Sequence, residues 1–161
     1  AVVFNGFSKA FAMTGWRLGY IIVPPDLIRP LQKMHQNFFI SANAFVQAAG
    51  IAALREALPD SERMRRGYDE RRRFIVPGLR RLGFGVATEP NGAFYVFANA
   101  KRFGADSYRF AFELLERAKV CVSPGIAFGT NGEGFLRFSY ASSLENLGEA
   151  LARLERYLTA R

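Results

Sequence analysis

Cysteine and histidine are almost missing. Among 161 residues there is one cysteine, Cys121, and one histidine, His35. A lone cysteine forms no internal disulfide, and the pair cannot build a Cys- or His-rich metal centre. Any histidine-based triad would have to use His35. So few thiols fit a reducing, cytoplasmic setting. Long apolar runs are missing too. No stretch approaches the ~18 residues that point to a membrane-spanning helix, so a membrane is not an expected partner. The opening Ala1-Val2-Val3-Phe4-Asn5 has neither the basic leader nor the cleavage site of a signal peptide. It also lacks an initiator Met. It reads as a chain picked up in mid-strand, a piece of a longer polypeptide.

Negative charge is the scarcer sign. Fourteen acidic residues face 22 lysines and arginines, for a net charge of +8. The basic residues crowd between Arg63 and Arg81, with Arg55 nearby, and are interleaved with Glu62, Asp69 and Glu70. That mixture reads as a solvated helix laced with internal ion pairs. A nucleic-acid interface would bring a recognisable binding motif, and none is present. Nucleic acid is therefore not an expected partner.

Apolar material is plentiful. Half of the residues are hydrophobic and 16 are Phe, enough for a real core. Residues 1–8 read as a short buried strand running into a polar turn. Residues 18–23, apolar on both faces, read as a strand inside a covered sheet. Pro24-Pro25-Asp26 opens a helix over 26–38. Ser41-Ala42-Asn43 breaks it, and an Ala-rich helix follows over 44–57. A charged helix from Pro59 to Leu82, with Pro77 inside and Gly83 as its stop, reads as a domain connector. Beyond it, strands are predicted at 84–88, 93–98, 119–122 and 134–140, and helices at 106–118 and 143–159. The last helix carries Leu144, Leu147, Leu151, Leu154 and Leu158 on one face. Alternating strands and helices predict α/β packing.

Chemistry concentrates in Asn5-Gly6-Phe7-Ser8-Lys9-Ala10-Phe11-Ala12-Met13-Thr14-Gly15-Trp16-Arg17-Leu18-Gly19-Tyr20. Lys9 sits among apolar and small residues. A desolvated lysine loses proton affinity and becomes suited to imine formation. Arg17 follows, flanked by Gly15 and Gly19, where backbone passes close to a ligand. An arginine fork holds phosphate through paired, charged hydrogen bonds. An amine for an aldehyde and a guanidinium for a phosphate are what a pyridoxal phosphate site needs. A second constellation is Ser123-Pro124-Gly125-Ile126-Ala127-Phe128-Gly129 followed by Phe135-Leu136-Arg137-Phe138-Ser139. Arg137 is a charge inside an apolar strand, and burial requires a partner for it. Either a substrate carboxylate or an acidic residue of the chain would serve.

The first run resembles the cofactor-attachment segment of class I/II (fold type I) pyridoxal-phosphate aminotransferases. The wording from Phe7 to Tyr20 is similar to their aspartate-aminotransferase-like branch, and Trp16 beside Arg17 favours aminotransferases over lyases. The resemblance covers essentially the whole chain, and implies that more than half of the family's chain is absent. It implies an α/β fold: the C-terminal part of a large cofactor-binding domain (1–60), a connecting helix (61–82) and a small α/β (α+β) C-terminal domain (83–161). It implies pyridoxal 5′-phosphate on Lys9, with Arg17, Ser8 and Gly6 as cofactor-binding residues. Many relatives have Ser three residues before the lysine, where this chain has Gly6. That phosphate contact is then either absent or replaced by Ser8 or by backbone N–H groups. It implies the substrate α-carboxylate on Arg137. Ser41 or Asn43 would reach the phosphate of a neighbouring subunit in a homodimer built through the large domain; a helix cap is the plain reading of the same residues. Asn91-Gly92-Ala93-Phe94-Tyr95 resembles the turn lining the small-domain side of the cleft, and packing is the simpler reading there. His35 reads as an ordinary helix residue. The implied substrates are an L-amino acid and a 2-oxo acid, and the 161-residue piece alone is expected to be silent. The rival readings are a lyase of the same fold type and the aminotransferase-like sensor domain of a transcriptional regulator.

Overall fold

A computed structural model describes all 161 residues. The chain divides into two compact units, Ala1–Arg65 and Arg66–Arg161. The break falls inside the longest helix.

In the first unit, strand β1 (Val3–Gly6) runs into a one-turn helix α1 (Phe7–Ala10), and strand β2 (Gly19–Ile22) returns antiparallel to β1. Helices α2 (Pro25–Phe39) and α3 (Ala44–Glu56) follow. Pro25 starts α2, where the missing N–H costs nothing, and Asp26 sits in its first turn, favourably placed against the helix dipole. Asn43 caps α3, its side-chain oxygen accepting from the Phe45 N–H at 3.3 Å. Val46, Gly50 and Ala53 recur at helical spacing and form the buried face of α3. The small core of this unit is Phe7, Met13 and Ala53, with Phe11, Leu18, Tyr20 and Ala49 packed around it. Two expectations are corrected here. The strands predicted within 1–8 and 18–23 exist, but neither is buried: they form a two-stranded ribbon in which Phe4 is 73% and Ile22 58% exposed. Their apolar residues need a covering layer on each face, and a two-stranded ribbon with two helices covers only part of that surface.

The second unit contains most of helix α4 (Leu58–Arg81) and a three-stranded antiparallel sheet, β3 (Tyr95–Asn99), β5 (Phe135–Ser139) and β4 (Ser123–Pro124), in the order β3-β5-β4. Helices α5 (Ser107–Glu113) and α6 (Leu144–Thr159) complete it. The arginines of α4 pair as expected, Arg65 with Glu62 at 2.7 Å and both Arg72 and Arg73 with Asp69 at 2.8 Å. Gly83 ends the helix at φ +95°, and the Phe84 N–H reaches back to the Leu79 carbonyl at 3.0 Å. Ser143 caps α6 through the Asn146 N–H, and Leu147, Leu151 and Leu154 turn into the core. Strand alternation puts Val96, Ala98, Leu136 and Phe138 into that core as well. Each such leucine contributes about 1.5–3 kcal/mol by leaving water. Here too the strand readings need correction. Residues 84–88 make only an isolated bridge, Gly85 to Asn99, and the 119–122 strand is displaced to Ser123–Pro124. The helix expected to run to 118 changes at Leu114 into a π-helical turn that ends on left-handed Lys119. No helix is long and apolar enough to cross a membrane.

Candidate active site

Gly6 is the hinge from β1 into α1. It is extended, at φ −152°, and pairs with Gly19 across the ribbon. Phe7 then plugs the small core, its ring centroid 5.5 Å from that of Phe11 and 5.6 Å from that of Tyr20. A helix turns about 100° per residue, so Lys9, two positions on, faces away from Phe7. Lys9 is exposed and Ser8 half-buried. The desolvated environment expected for this lysine is therefore not provided by the 161 residues. Ala12, at φ +53°, ends the helical turn, and the chain loops back until the Phe7 N–H meets the Leu18 carbonyl at 3.2 Å. Arg17 also stands at φ +53°. Left-handed backbone at a non-glycine residue costs about 1–3 kcal/mol and persists only where surroundings impose it. Here one Arg17 N–H binds the Thr14 carbonyl at 3.0 Å, which fixes the side chain along its own loop. Arg17 is exposed, and its guanidinium carries further N–H donors beyond that bond.

Lysine and arginine are thus both exposed on one short excursion closed at its neck. An amine for an aldehyde and a fork of N–H donors for an anion form a donor set that fits pyridoxal phosphate. At Gly6 a Cβ would lie 3.5 Å from the Leu18 carbonyl oxygen, an ordinary contact, so nothing steric demands glycine there. Ser41 is exposed, and Asn43 is the α3 cap already described. His35 is exposed, edge-on to Phe39.

In the second unit Arg137 projects from β5 on the face opposite the core. Its guanidinium lies 4.3 Å from the Tyr95 ring centre and 4.6 Å from that of Phe128. One N–H donates to Ser123 Oγ at 3.1 Å. The partners of Arg137 are two rings and a hydroxyl, and no carboxylate of the chain pairs with it. Ring faces offset part of the cost of its half-burial while leaving in-plane donors for a two-pronged contact with an anion. The sequence singles out Arg137 but not this clamp, because Tyr95 and the 91–94 turn read as packing. The available signal was strand parity: Tyr95 pairs with Ser139, two residues beyond Arg137, on the same sheet face.

Two further sets of contacts hold the walls. Tyr140 donates its hydroxyl to the Ala93 carbonyl at 2.6 Å, and its N–H meets the Phe94 carbonyl at 3.0 Å. Burial raises the Tyr140 phenol above its ordinary value, which keeps that donor protonated. Arg72 and Arg80 grip Glu89 at 2.6 and 3.2 Å and fasten the 86–90 segment to α4.

Residues 1–154, which include the lysine-arginine excursion, the Pro-Gly turn and the strand arginine, match a family model, that of class I and II aminotransferases. The chain belongs to this family. It is 46% identical over 159 residues to an aspartate aminotransferase of Pyrococcus horikoshii, covering 98% of this chain and 41% of that protein. It is 40% identical over 158 residues to the (5-formylfuran-3-yl)methyl phosphate transaminase of Methanocaldococcus jannaschii, covering 98% and 42%. The solved aromatic aminotransferase of Pyrococcus horikoshii superposes with a TM-score of 0.93 at 40% identity, over 99% of this chain and 43% of that one. The chain thus spans about two-fifths of the length of the curated relatives it matches. Enzymes of this family are generally dependent on pyridoxal phosphate.

Proposed function

We propose that the polypeptide containing this chain is a pyridoxal-phosphate-dependent aminotransferase that moves an amino group from an L-amino acid to a 2-oxo acid. The observation that carries the reading is the family match through the Lys9–Arg17 excursion, on which both residues are exposed. When bound, the cofactor supplies an electron sink for the charge left at the substrate Cα as its proton departs. Lys9 Nζ would hold the cofactor and would be the base that takes that proton. Arg17 binds the phosphate through the donors it does not spend on Thr14, with Ser8 and the Gly6 backbone beside it. Arg137 orients the substrate by binding its α-carboxylate in plane, between Tyr95 and Phe128.

On the same reading residues 1–60 belong to the large cofactor domain, 61–82 connect, and 83–161 form the small domain. The protein works in the cytoplasm as a homodimer through the large domain, with Ser41 or Asn43 at the partner's phosphate. The exposed apolar run Phe38, Phe39, Ile40 and Phe45 around those residues supports that interface. The 161 residues alone are inactive.

Borohydride reduction of the cofactor-loaded full-length protein, followed by peptide mapping, tests the reading. The reduced cofactor is expected on Lys9, and Lys9→Ala is expected to lose both the yellow absorbance and the activity. A label on another lysine, or none, refutes it. Release of pyruvate and ammonia in place of amino-group exchange refutes the transferase assignment in favour of a lyase.

A further inference from the structure

The Pro-Gly turn that carries Phe128 is held by a partly buried relay that the proposed mechanism leaves unused. Ser107, at the start of α5, is 1% exposed, the one polar residue in the buried set. Its Oγ accepts from the Ile126 N–H at 3.1 Å. Its own N–H donates to Glu133 Oε1 at 2.6 Å, and the same carboxylate oxygen accepts from the Gly134 N–H at 3.0 Å. Those donors hold the Glu133 carboxyl below its usual range, with the Ser107 backbone N–H the largest cause, so the carboxylate stays charged and accepting near neutrality. The relay spans three segments. Glu133 closes the short 3-10 turn Thr130–Gly132, Ser107 opens α5, and Ile126 lies in the 3-10 turn Gly125–Phe128. Phe128, two residues beyond Ile126, is one wall of the Arg137 clamp.

We propose that Ser107 and Glu133 are positioning residues for the substrate carboxylate. They fix the Gly125–Phe128 turn, and so set the ring of Phe128 over Arg137. Neither touches the guanidinium; both act through the turn. Arg137 donates to Ser123, two residues before Gly125, so a loosened turn displaces both the ring and the hydroxyl that orient the fork. The proposal rests on the reading of Arg137 as the carboxylate site.

The test is steady-state kinetics on the full-length, cofactor-loaded protein. Ser107→Ala and Glu133→Ala are expected to raise KM for the amino acid and the oxo acid about tenfold, the scale of one lost hydrogen bond. They leave kcat within about twofold and the cofactor absorbance unchanged, because neither residue belongs to the unit that carries the lysine. Glu133→Gln keeps an acceptor oxygen for the Ser107 N–H and is expected to restore KM to within about threefold. Asp106→Ala is the control: it removes the side chain that caps α5 through the Arg109 N–H at 2.8 Å and leaves the Ile126 bond in place. It lowers the melting temperature without moving KM. Unchanged KM in Ser107→Ala, or an equal rise in Asp106→Ala, overturns the proposal. If Ser107→Ala does not fold, the Glu133→Ala and Glu133→Gln pair decides by the same criterion. Failure of the functional reading looks different, since the unmodified protein itself would then neither bind the cofactor nor exchange amino groups.

Discussion

Gly125→Ala is expected to be the most damaging single methyl group in the second unit. A Cβ at Gly125 would lie 1.9 Å from the Gly132 carbonyl oxygen and 2.6 Å from that of Phe135. Ordinary contact begins near 3.4 Å, so the first approach is about 1.5 Å too short. Both obstacles are backbone, one in the facing 3-10 turn and one in β5, so no side-chain rotation relieves them. The turn must move as a body. Overpacking of this kind costs about 1–3 kcal/mol, and the absence of a flexible neighbour puts Gly125→Ala at or above the upper end. For a unit of this size each kcal/mol lowers the melting temperature by roughly 4–8 °C, so a drop beyond about 10 °C is expected in calorimetry. Because the same turn carries Phe128, the amino-acid KM should rise as well. Gly92→Ala is the matched comparison: nothing lies within 4 Å of the added methyl, and a change below about 0.5 kcal/mol is expected. A Gly125→Ala protein melting within 2–3 °C, on the scale of roughly half a kcal/mol, of the unmodified chain would refute the steric reasoning.

Three other outcomes follow from the same contacts. Leu136→Ala empties a fully buried site between the sheet and its helices and is expected to cost about 2–5 kcal/mol by chemical denaturation, with the 66–161 core losing cooperativity first. The Asp69 carboxyl is held below its ordinary value, chiefly by its hydrogen bond to Arg72. A depressed carboxyl stabilises the fold above its unfolded-state pKa, near 4, and that contribution is lost as pH falls through the lowered folded value. Asp69→Asn should therefore flatten the fall in stability measured by urea unfolding below about pH 4, and an unaltered slope would rule Asp69 out as a contributor. Gly6→Ser should fold normally, since the added Cβ meets the Leu18 carbonyl oxygen at 3.5 Å and the Gly19 Cα at 3.9 Å, both ordinary contacts. It should bind pyridoxal phosphate several-fold more tightly in a spectroscopic titration if Gly6 lines the phosphate, whereas equal affinity would place Gly6 off that site.

The helices were legible in the sequence because their signals are local. Pro25 starts α2, Asn43 caps α3, Gly83 stops α4 and Ser143 caps α6, and each uses hydrogen-bonding or φ preferences that do not depend on distant residues. The misread strands depended on partners. Residues 84–88 have strand composition, yet after Gly85 the segment swings to Arg72 and Arg80 through Glu89, an attraction that no periodicity encodes. The π-helical turn at Leu114 adds a residue to the helical register before left-handed Lys119, and composition gives no warning of it. Lys9 and Arg17 were legible as a pattern, whereas the clamp around Arg137 needed the register of β3 against β5 and a ring from the separate Gly125–Phe128 turn. The relay through Ser107 was invisible for the same reason: a serine before Tyr108 looks like any helix start until Ile126 and Glu133 are brought to it.

The two units differ in how far they satisfy their own apolar residues, and that difference makes a last prediction. In Arg66–Arg161 a single core joins α4, α5, α6 and the sheet, with Val76, Leu79, Val96, Leu114 and Leu136 fully buried. In Ala1–Arg65 the core is Phe7, Met13 and Ala53, while Phe38 is 71%, Phe39 74% and Ile40 83% exposed. Hydrophobic burial scales with area removed from water, and a chain of about 65 residues is marginal even when its core is complete. Expressed alone, residues 66–161 should unfold in one cooperative transition with a calorimetric enthalpy of about 60–80 kcal/mol. Residues 1–65 alone should give no sharp transition, bind a hydrophobic dye and aggregate as concentration rises. A cooperative melt from residues 1–65 in dilute buffer would mean that the exposed phenylalanines find partners within their own unit. The apolar faces of β1, β2 and α2 would then need no covering layer from the remaining three-fifths of length seen in the curated relatives.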